Sequence, residues 1–414
     1  MLNGGHAIAR YSRCLGFVVF TAASMAGPSR VLAEKEAGKA AQRHQTFADV
    51  VREHFTEWDT NHDGRLDTHE IDEAIRRRGV HGEVAAALAT IKTRERQALV
   101  AKVQDFAQTE SQLTAADETP SGTLDTARED AKPFHAEGEF TRNLKRLANV
   151  NHRLFASEKP DFDAMHQGGI GDCFFFSVVG NLAAHQPQRI RKMIVAEASG
   201  GYSVHFGDGE KVEVAHPSDV EIIINNSTYS VEDGIWLTVL EKAVGHRLQA
   251  RSKSHSTDEE ETDAISHGGS SRVIISMLTG HQTDLVSLRD PKHEPDRLAE
   301  LRRVLPEALA SHRLAAVSMA KEPPAGHTKI PRLGYGHVYA LFGFDPATDR
   351  VELWNPWGNN FTPKQAPGVE HGFETKHGVF HVPLKTLYAQ FSGVVIEGNK
   401  KLDSSKPGRT KRRN

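Results

Sequence analysis

Apolar positions in the first third of the chain recur at helical spacing. Phe47, Val50, Val51, Phe55 and Trp58 fall on one face of a helix. A second helix is expected over 83–106, where Ala, Val, Leu and Ile recur with no proline. The pattern then breaks into Thr, Ser, Asp, Glu and Pro over 109–139, the texture of a linker. From 154 onward helical and alternating segments mix. Helices are expected over 173–186, 236–248 and 295–309. Residues 202–206 and 211–215 alternate around Gly207-Asp208-Gly209, a hairpin signal. Strands are expected over 315–319, 338–345, 351–355, 379–382 and 394–397. The acidic, polar stretch 252–267 reads as a solvent loop. The organisation expected is a leader at 1–33, a helical module at 34–108, a linker at 109–153, a mixed α+β domain at 154–398 and a basic, solvated tail at 399–414.

Charge and cysteine usage narrow the function classes. Across 414 residues, 51 Lys and Arg face 54 Asp and Glu, a net charge of −3. A nucleic-acid-binding chain would show a basic excess, so that class is excluded as the main role. No apolar run approaches the roughly 18 residues of a membrane span, so stable membrane insertion is not expected. Residues 1–33 hold no Asp or Glu, and Arg10 and Arg13 precede the apolar stretch 15–25. Val31-Leu32-Ala33 then offers a cleavage site, so the segment reads as an export signal and the mature protein as secreted or periplasmic. A buried N-terminal helix or a membrane anchor is the competing reading. Cys14 would leave with the leader, and Cys173 would be the sole cysteine of the mature chain. That leaves either an inert buried thiol or a reactive one.

One segment has the chemistry of a calcium site. Asp59-Thr60-Asn61-His62-Asp63-Gly64-Arg65-Leu66-Asp67-Thr68-His69-Glu70 spaces oxygen donors as a twelve-residue EF-hand loop does. Calcium takes six to eight hard oxygen ligands, and Asp59, Asn61, Asp63, the Arg65 carbonyl, Asp67 and a two-oxygen Glu70 supply them. Gly64 permits the sharp turn. An acidic turn without metal is the bland alternative. Such loops usually pair; 108–118 is the candidate partner, but its Thr, Gln and Leu residues cannot match the ligand set.

The thiol sits in Gln167-Gly168-Gly169-Ile170-Gly171-Asp172-Cys173, a glycine-rich turn that delivers it to an expected helix start. Asp172 is a suitable helix cap, and the free N–H groups there favour a thiolate. Its proton partner is expected to be His337. A hairpin centred on Pro346 places His337, at the start of one strand, opposite Asn355, at the end of the next. Opposed residues have Cβ atoms about 4.5–5.5 Å apart, so the Asn355 oxygen can accept one ring N–H and aim the other nitrogen at the sulfur. No H-E-x-x-H, G-x-S-x-G or phosphate-binding loop is present.

These blocks resemble the calpain family of papain-like cysteine proteases. The resemblance lies in Gln167 with its glycines and Gly171-Asp172-Cys173, in Gly336-His337-Val338-Tyr339, and in Asn355-Pro356-Trp357-Gly358. Between them, Trp236-Leu237-Thr238-Val239-Leu240-Glu241-Lys242-Ala243, Gly268-Gly269 and Thr279-Gly280 also match. The resemblance covers about 155–397. It implies a two-part core, a helical half carrying Cys173 and an antiparallel-sheet half carrying His337 and Asn355. It implies Cys173 as nucleophile, His337 as base and then acid, Asn355 as its orienting residue, and the Gln167 amide with the Cys173 N–H as the oxyanion site. Trp357 would shield the His337–Asn355 bond from water. Phe174 stands where the family usually has Trp. Asp163 is displaced by one position from a family calcium ligand, and Gly358-Asn359-Asn360-Phe361-Thr362 lacks the acids of the second core site. The expectation is therefore an exported cysteine endopeptidase acting on proteins or peptides, with calcium at the N-terminal loop. The alternatives are a papain-like acyl transferase and a calcium-binding protein with an inactive core.

Overall fold

The computed structural model describes residues 45–403 apart from 78, 101–105, 116–133, 169, 226–232, 252–260, 267 and 289. The expected leader, the 116–133 part of the linker, the 252–260 part of the solvent loop and the tail from 404 lie outside the described residues.

Helix α1 (Phe47–Trp58) starts at Thr46, whose hydroxyl accepts the Asp49 N–H while the Asp49 carboxylate reaches back to the Thr46 N–H. It buries the five residues of the sequence pattern. Strand β1 (Leu66–Asp67), α2 (Thr68–Arg76), α3 (Gly82–Val100), β2 (Ala107–Gln108), α4 (Glu110–Thr114) and α5 (Ala136–Leu147) complete the helical module. Two of these helices, α4 and α5, lie in the stretch expected to be a linker. They are ordered because Leu113, Ala136 and Phe140 bury into the same core as α1, α2 and α3. Lys92 of α3 is fully buried against Asp72 at 2.5 Å and Glu95 at 2.8 Å, so removing Lys92 would break both buried ion pairs.

After a 3₁₀ turn (Phe162–Ala164) comes the helical half: α6 (Cys173–His185), α7 (Pro187–Met193), β3 (Ile194–Ala196), β4 (Tyr202–His205), β5 (Lys211–Val214), α8 (Asp219–Asn225), α9 (Trp236–Arg251), α10 (Glu261–Ser266) and α11 (Ser271–Thr279). The expected hairpin forms, Tyr202 opposite Val214. Helix α8 sends Val220, Ile223 and Ile224 into the core of the N-terminal module, so module and helical half share buried apolar surface.

The sheet half comprises β6 (His281–Ser287), α12 (Glu294–Ala310), β7 (Ala315–Ser318), β8 (Val338–Asp345), β9 (Arg350–Trp354), β10 (Thr375–Lys376), β11 (Val379–Pro383), α13 (Leu384–Gln390) and β12 (Gly393–Lys401). Its seven strands are antiparallel in the order β10-β11-β9-β8-β7-β12-β6. Strand β12 runs beyond the expected start of the tail, because Lys401 pairs with His281 after a bulge. Side chains alternate across β8. Tyr339 and Leu341 join the core on one face with Leu301, Leu305 and Leu387, while Ala340 and Phe342 join the helical half on the other.

Helix α6 lies on that second face. Asn181 Nδ2 donates to the carbonyls of Ala315 at 3.0 Å and Leu341 at 2.8 Å, tying the middle of the helix to β7 and β8. Gly180 meets the Trp354 ring so closely that a Cβ would sit 2.2 Å from it. A methyl there would force the halves apart, at about 1–3 kcal/mol. Among the described residues, no helix is long and apolar enough to cross a membrane.

Candidate active site

Cys173 is the first residue of α6, at the end of the glycine turn. Gly171 donates its N–H to Ser266 O at 3.0 Å, and a Cβ on it would lie 2.4 Å from that oxygen, so only glycine lets the turn dock on α10. Gly269 is equally confined, with the Phe174 ring 2.5 Å from where its Cβ would stand. The aromatic after the nucleophile is thus packed against the Gly268-Gly269 pair.

The turn also reaches the sheet half. The Gln167 N–H donates to Pro356 O at 2.7 Å. The Cys173 sulfur faces the backbone N–H of Val338, the neighbour of His337. Cys173, Gln167, His337 and Asn355 are therefore brought into one place by α6 and the ends of β8 and β9.

His337 Nε2 lies 2.9 Å from Asn355 Oδ1. The amide orientation is fixed on both sides: Oδ1 also accepts the Trp357 N–H at 3.1 Å, and Nδ2 donates to Asn359 Oδ1 at 2.9 Å. Oδ1 can only accept, so Nε2 carries the ring proton and Nδ1 is left free to take another. The Trp357 ring covers the imidazole at 4.3 Å, tilted by 31°, and Tyr339 meets it edge-on at 4.9 Å. The Tyr339 hydroxyl accepts the Gly334 N–H at 2.7 Å, which steadies the approach to β8.

The register differs from the expected one. Asp345 pairs with Arg350, so the hairpin turns between Ala347 and Thr348 and not on Pro346; a bulge at Phe342 then moves the ladder back by only one residue, and Leu341 faces Leu353 and Ala340 faces Trp354. Continued upward, this register sets His337 beside Trp357, matching the ring contact. The bond to Asn355 is a diagonal one, made beyond the strand ends. Sequence reasoning missed Asn359 and the support from Tyr339, since neither lies in a spacing that points to the imidazole.

Asp172 occupies the cap position of α6, but its side chain makes no cap hydrogen bond. The expected carboxylate cap is absent because that side chain turns inward. Nor is the thiol held low. Burial pushes Cys173 up to about 11, the Asp172 charge adding to this and the N–H groups of Val338 and Phe174 opposing it. Burial likewise pushes His337 down to about 4, against its bond to Asn355. Desolvation of the two groups outweighs the helix end, and the resting pair is neutral.

In the N-terminal module, the 59–70 loop turns at His62 and Gly64, both with positive φ. Asp59 accepts the N–H groups of Asp63 at 3.1 Å and Gly64 at 2.9 Å, and Asn61 Oδ1 accepts the Asp63 N–H at 2.8 Å. Asp63 Oδ1 accepts the Arg65 N–H at 2.9 Å. Glu70 closes back on the N–H groups of Asn61 at 3.1 Å and Asp67 at 3.2 Å. These carboxyl and amide oxygens bond the loop's own N–H groups, and among the described residues no three acidic, His or Cys side chains converge into a metal-sized group. The Arg65 guanidinium bonds Ala107 O at 2.8 Å. Leu66 pairs with Gln108, and Asp67 and Thr109 cap α2 and α4 with matching boxes to Glu70 and Gln112. Gln108, Thr109 and Gln112 thus stand to α4 as Leu66, Asp67 and Glu70 stand to α2, and residues 101–105 lie outside the described residues.

The sequence profile of the calpain family cysteine proteases matches residues 82–365. Calpain-13 of Rattus norvegicus is 25% identical over 237 residues, 52% of this chain and 32% of that protein. The chain thus spans about a third of the length of the curated relative it matches.

The neutral resting pair has a measurable signature. Alkylation of Cys173 by iodoacetamide should accelerate steadily as pH rises from about 6 to 9, because thiolate is formed only by titration. The adduct is followed by peptide mass. A rate already on a plateau from about pH 5 would show a preformed thiolate–imidazolium pair and reverse this assignment.

Proposed function

The chain belongs to the calpain family of cysteine proteases, and we propose that it is a cysteine endopeptidase that opens peptide bonds with Cys173, His337 and Asn355. The observation that carries this reading is the buried His337–Asn355 bond of 2.9 Å, formed where α6 delivers the sulfur. In the first step the Cys173 sulfur attacks the scissile carbonyl carbon and its proton passes to His337 Nδ1. Because neither charge exists beforehand, transfer and attack are coupled. Asn355 keeps the ring in place, and the positive charge on the imidazolium balances the oxyanion. The Cys173 N–H donates to that oxyanion. Gln167 Nε2, which donates to Ile170 O at 2.6 Å, is the second donor once it turns to substrate. Collapse breaks the C–N bond, and His337 returns its proton to the leaving amine. Water, deprotonated by His337, then attacks the thioester, releasing the carboxylic product and restoring the thiol.

Calcium at the 59–70 loop belongs to the same proposal. Asp59, Asn61, Asp63, Asp67 and Glu70 would hold it through side-chain oxygens and Arg65 through its carbonyl. Its role is structural: it ties α1 to α2 in a module that shares a core with α8. Export is proposed on the sequence of residues 1–33.

Digestion of a denatured proteome, read by mass spectrometry, should yield new termini with the wild-type protein and none with Cys173→Ala. Asn355→Ala should lower kcat by about 10–10³-fold and leave measurable turnover, because His337 keeps its chemistry and loses its aim. Acyl transfer to amines without new termini would favour the transferase reading, and no product of either kind the inactive-core reading.

Calcium should raise the melting temperature of the wild-type protein, by stabilising only the folded form. In Asp59→Ala/Glu70→Ala that shift should vanish while turnover stays nearly flat across calcium concentrations. A steep calcium requirement surviving in the double variant would place the controlling site in the core.

A further inference from the structure

The sheet gives His337 two unlike flanks, because β8 lies between β9 and β7. On the β9 flank stands Trp357, 44% exposed, with its ring over the imidazole. On the β7 flank the chain runs past Ser318 and stays joined to the start of β8. The Met319 N–H donates to His337 O at 2.8 Å, and the Gly336 N–H donates to Ala320 O at 2.8 Å. The next residue is Lys321.

Lys321 is held against the glycine that precedes the imidazole. Its Cγ lies 3.1 Å from where a Cβ on Gly336 would stand, with its Cα at 3.7 Å and its Cβ at 3.9 Å. Gly336 has a φ of +68°, and its bare backbone leaves the lysine stem room to lie across it. The residue is exposed, and its ammonium ends the chain a few bonds beyond that contact. Glu322 is the one acid of the 320–336 segment, and it is paired with Lys329 at 3.1 Å. Among the described residues, no carboxylate pairs with Lys321. A cation without a partner thus stands beside the catalytic histidine, on the flank away from Trp357.

We propose that Lys321 is the charge-selecting residue of the site and draws a carboxylate of the bound peptide, an Asp or Glu side chain, to the β7 flank. The substrates favoured are then peptides with an acidic residue close to the scissile bond. A lysine suits this role, since its compact, hydrated charge attracts a carboxylate without imposing the two-point geometry of an arginine fork. The pair it forms is exposed to water, so the preference it confers is about two- to fivefold in kcat/KM. Salt should weaken it.

The peptide arm of the test rests on the peptidase reading; the alkylation arm does not. A peptide mixture is cut at about 10 mM ionic strength, where screening is weak, and the products are read by mass spectrometry. Asp and Glu should be enriched at one position near the scissile bond. Matched peptides with Glu or Gln there should differ by about two- to fivefold in kcat/KM. Lys321→Gln should erase that difference and Lys321→Glu should invert it. Lys400→Gln, which removes a cation at the far end of β12, should leave it in place. Cleavage without an acidic preference, or with one that Lys321→Glu retains, overturns the proposal and leaves the peptidase reading standing. Should no peptide be cut, the peptidase reading fails and the thiol itself reports the charge. Iodoacetate and iodoacetamide differ in the carboxylate that one carries. The ratio of their rates at Cys173 should then fall about twofold in Lys321→Gln and further in Lys321→Glu. A ratio that is the same in all three proteins overturns the proposal on that branch.

Discussion

The seating of α6 on the sheet fixes everything that follows at the site. Its sulfur-bearing end can meet the start of β8 only because Gly180 lets Trp354 approach and Asn181 locks onto two strand carbonyls. Replacing that asparagine would leave buried acceptors on β7 and β8 unpaired, at about 1–3 kcal/mol. The helix thus acts as a strut of set length and height. Cys173 is at its upper end, with the glycine turn anchored to Ser266 on one side and Pro356 on the other.

The dryness of this junction governs its chemistry. Trp357, Tyr339 and the aromatic cluster behind α6 exclude water from the imidazole. Exclusion makes isolated charges unfavourable, so thiol, imidazole and the Asp172 carboxyl all shift toward their uncharged forms. The same low dielectric strengthens the attraction between thiolate and imidazolium once a substrate carbonyl draws the proton across. A resting site that is neutral and an attacking site that is polar are two consequences of one environment. The N-terminal module reaches this environment too, through α8 and through Arg96.

Much of the site was legible because its elements are local. The run from Gln167 to Cys173 announces a tight turn and a helix start, and Gly336-His337 and Asn355-Pro356 mark strand ends. The His337–Asn355 meeting was anticipated through a hairpin centred on Pro346, whereas the turn lies between Ala347 and Thr348; it survives because both residues lie beyond the paired strands. What stayed hidden depends on distant packing. Helix α5 is rich in Glu, Arg, Lys and Asn, and its burial through Ala136 and Phe140 cannot be read without the module beside it. Glu241 reads in sequence as an ordinary polar helix residue, yet it is fully buried, as is Asp172, whose side chain makes no cap bond to the helix end. The match of Leu66 with Gln108 was hidden for the same reason, since only the β1–β2 pairing sets that frame.

The central claim is that α6 sets the Cys173 sulfur beside His337. A short bifunctional alkylating reagent, 1,3-dibromoacetone, tests it most directly, since its first arm takes the thiol and its second can reach only a nucleophile within a few ångströms. Digestion and mass spectrometry should then recover the peptide containing Cys173 joined to the one containing His337. Recovery of Cys173 carrying an unjoined arm, or joined to another residue, would contradict the account.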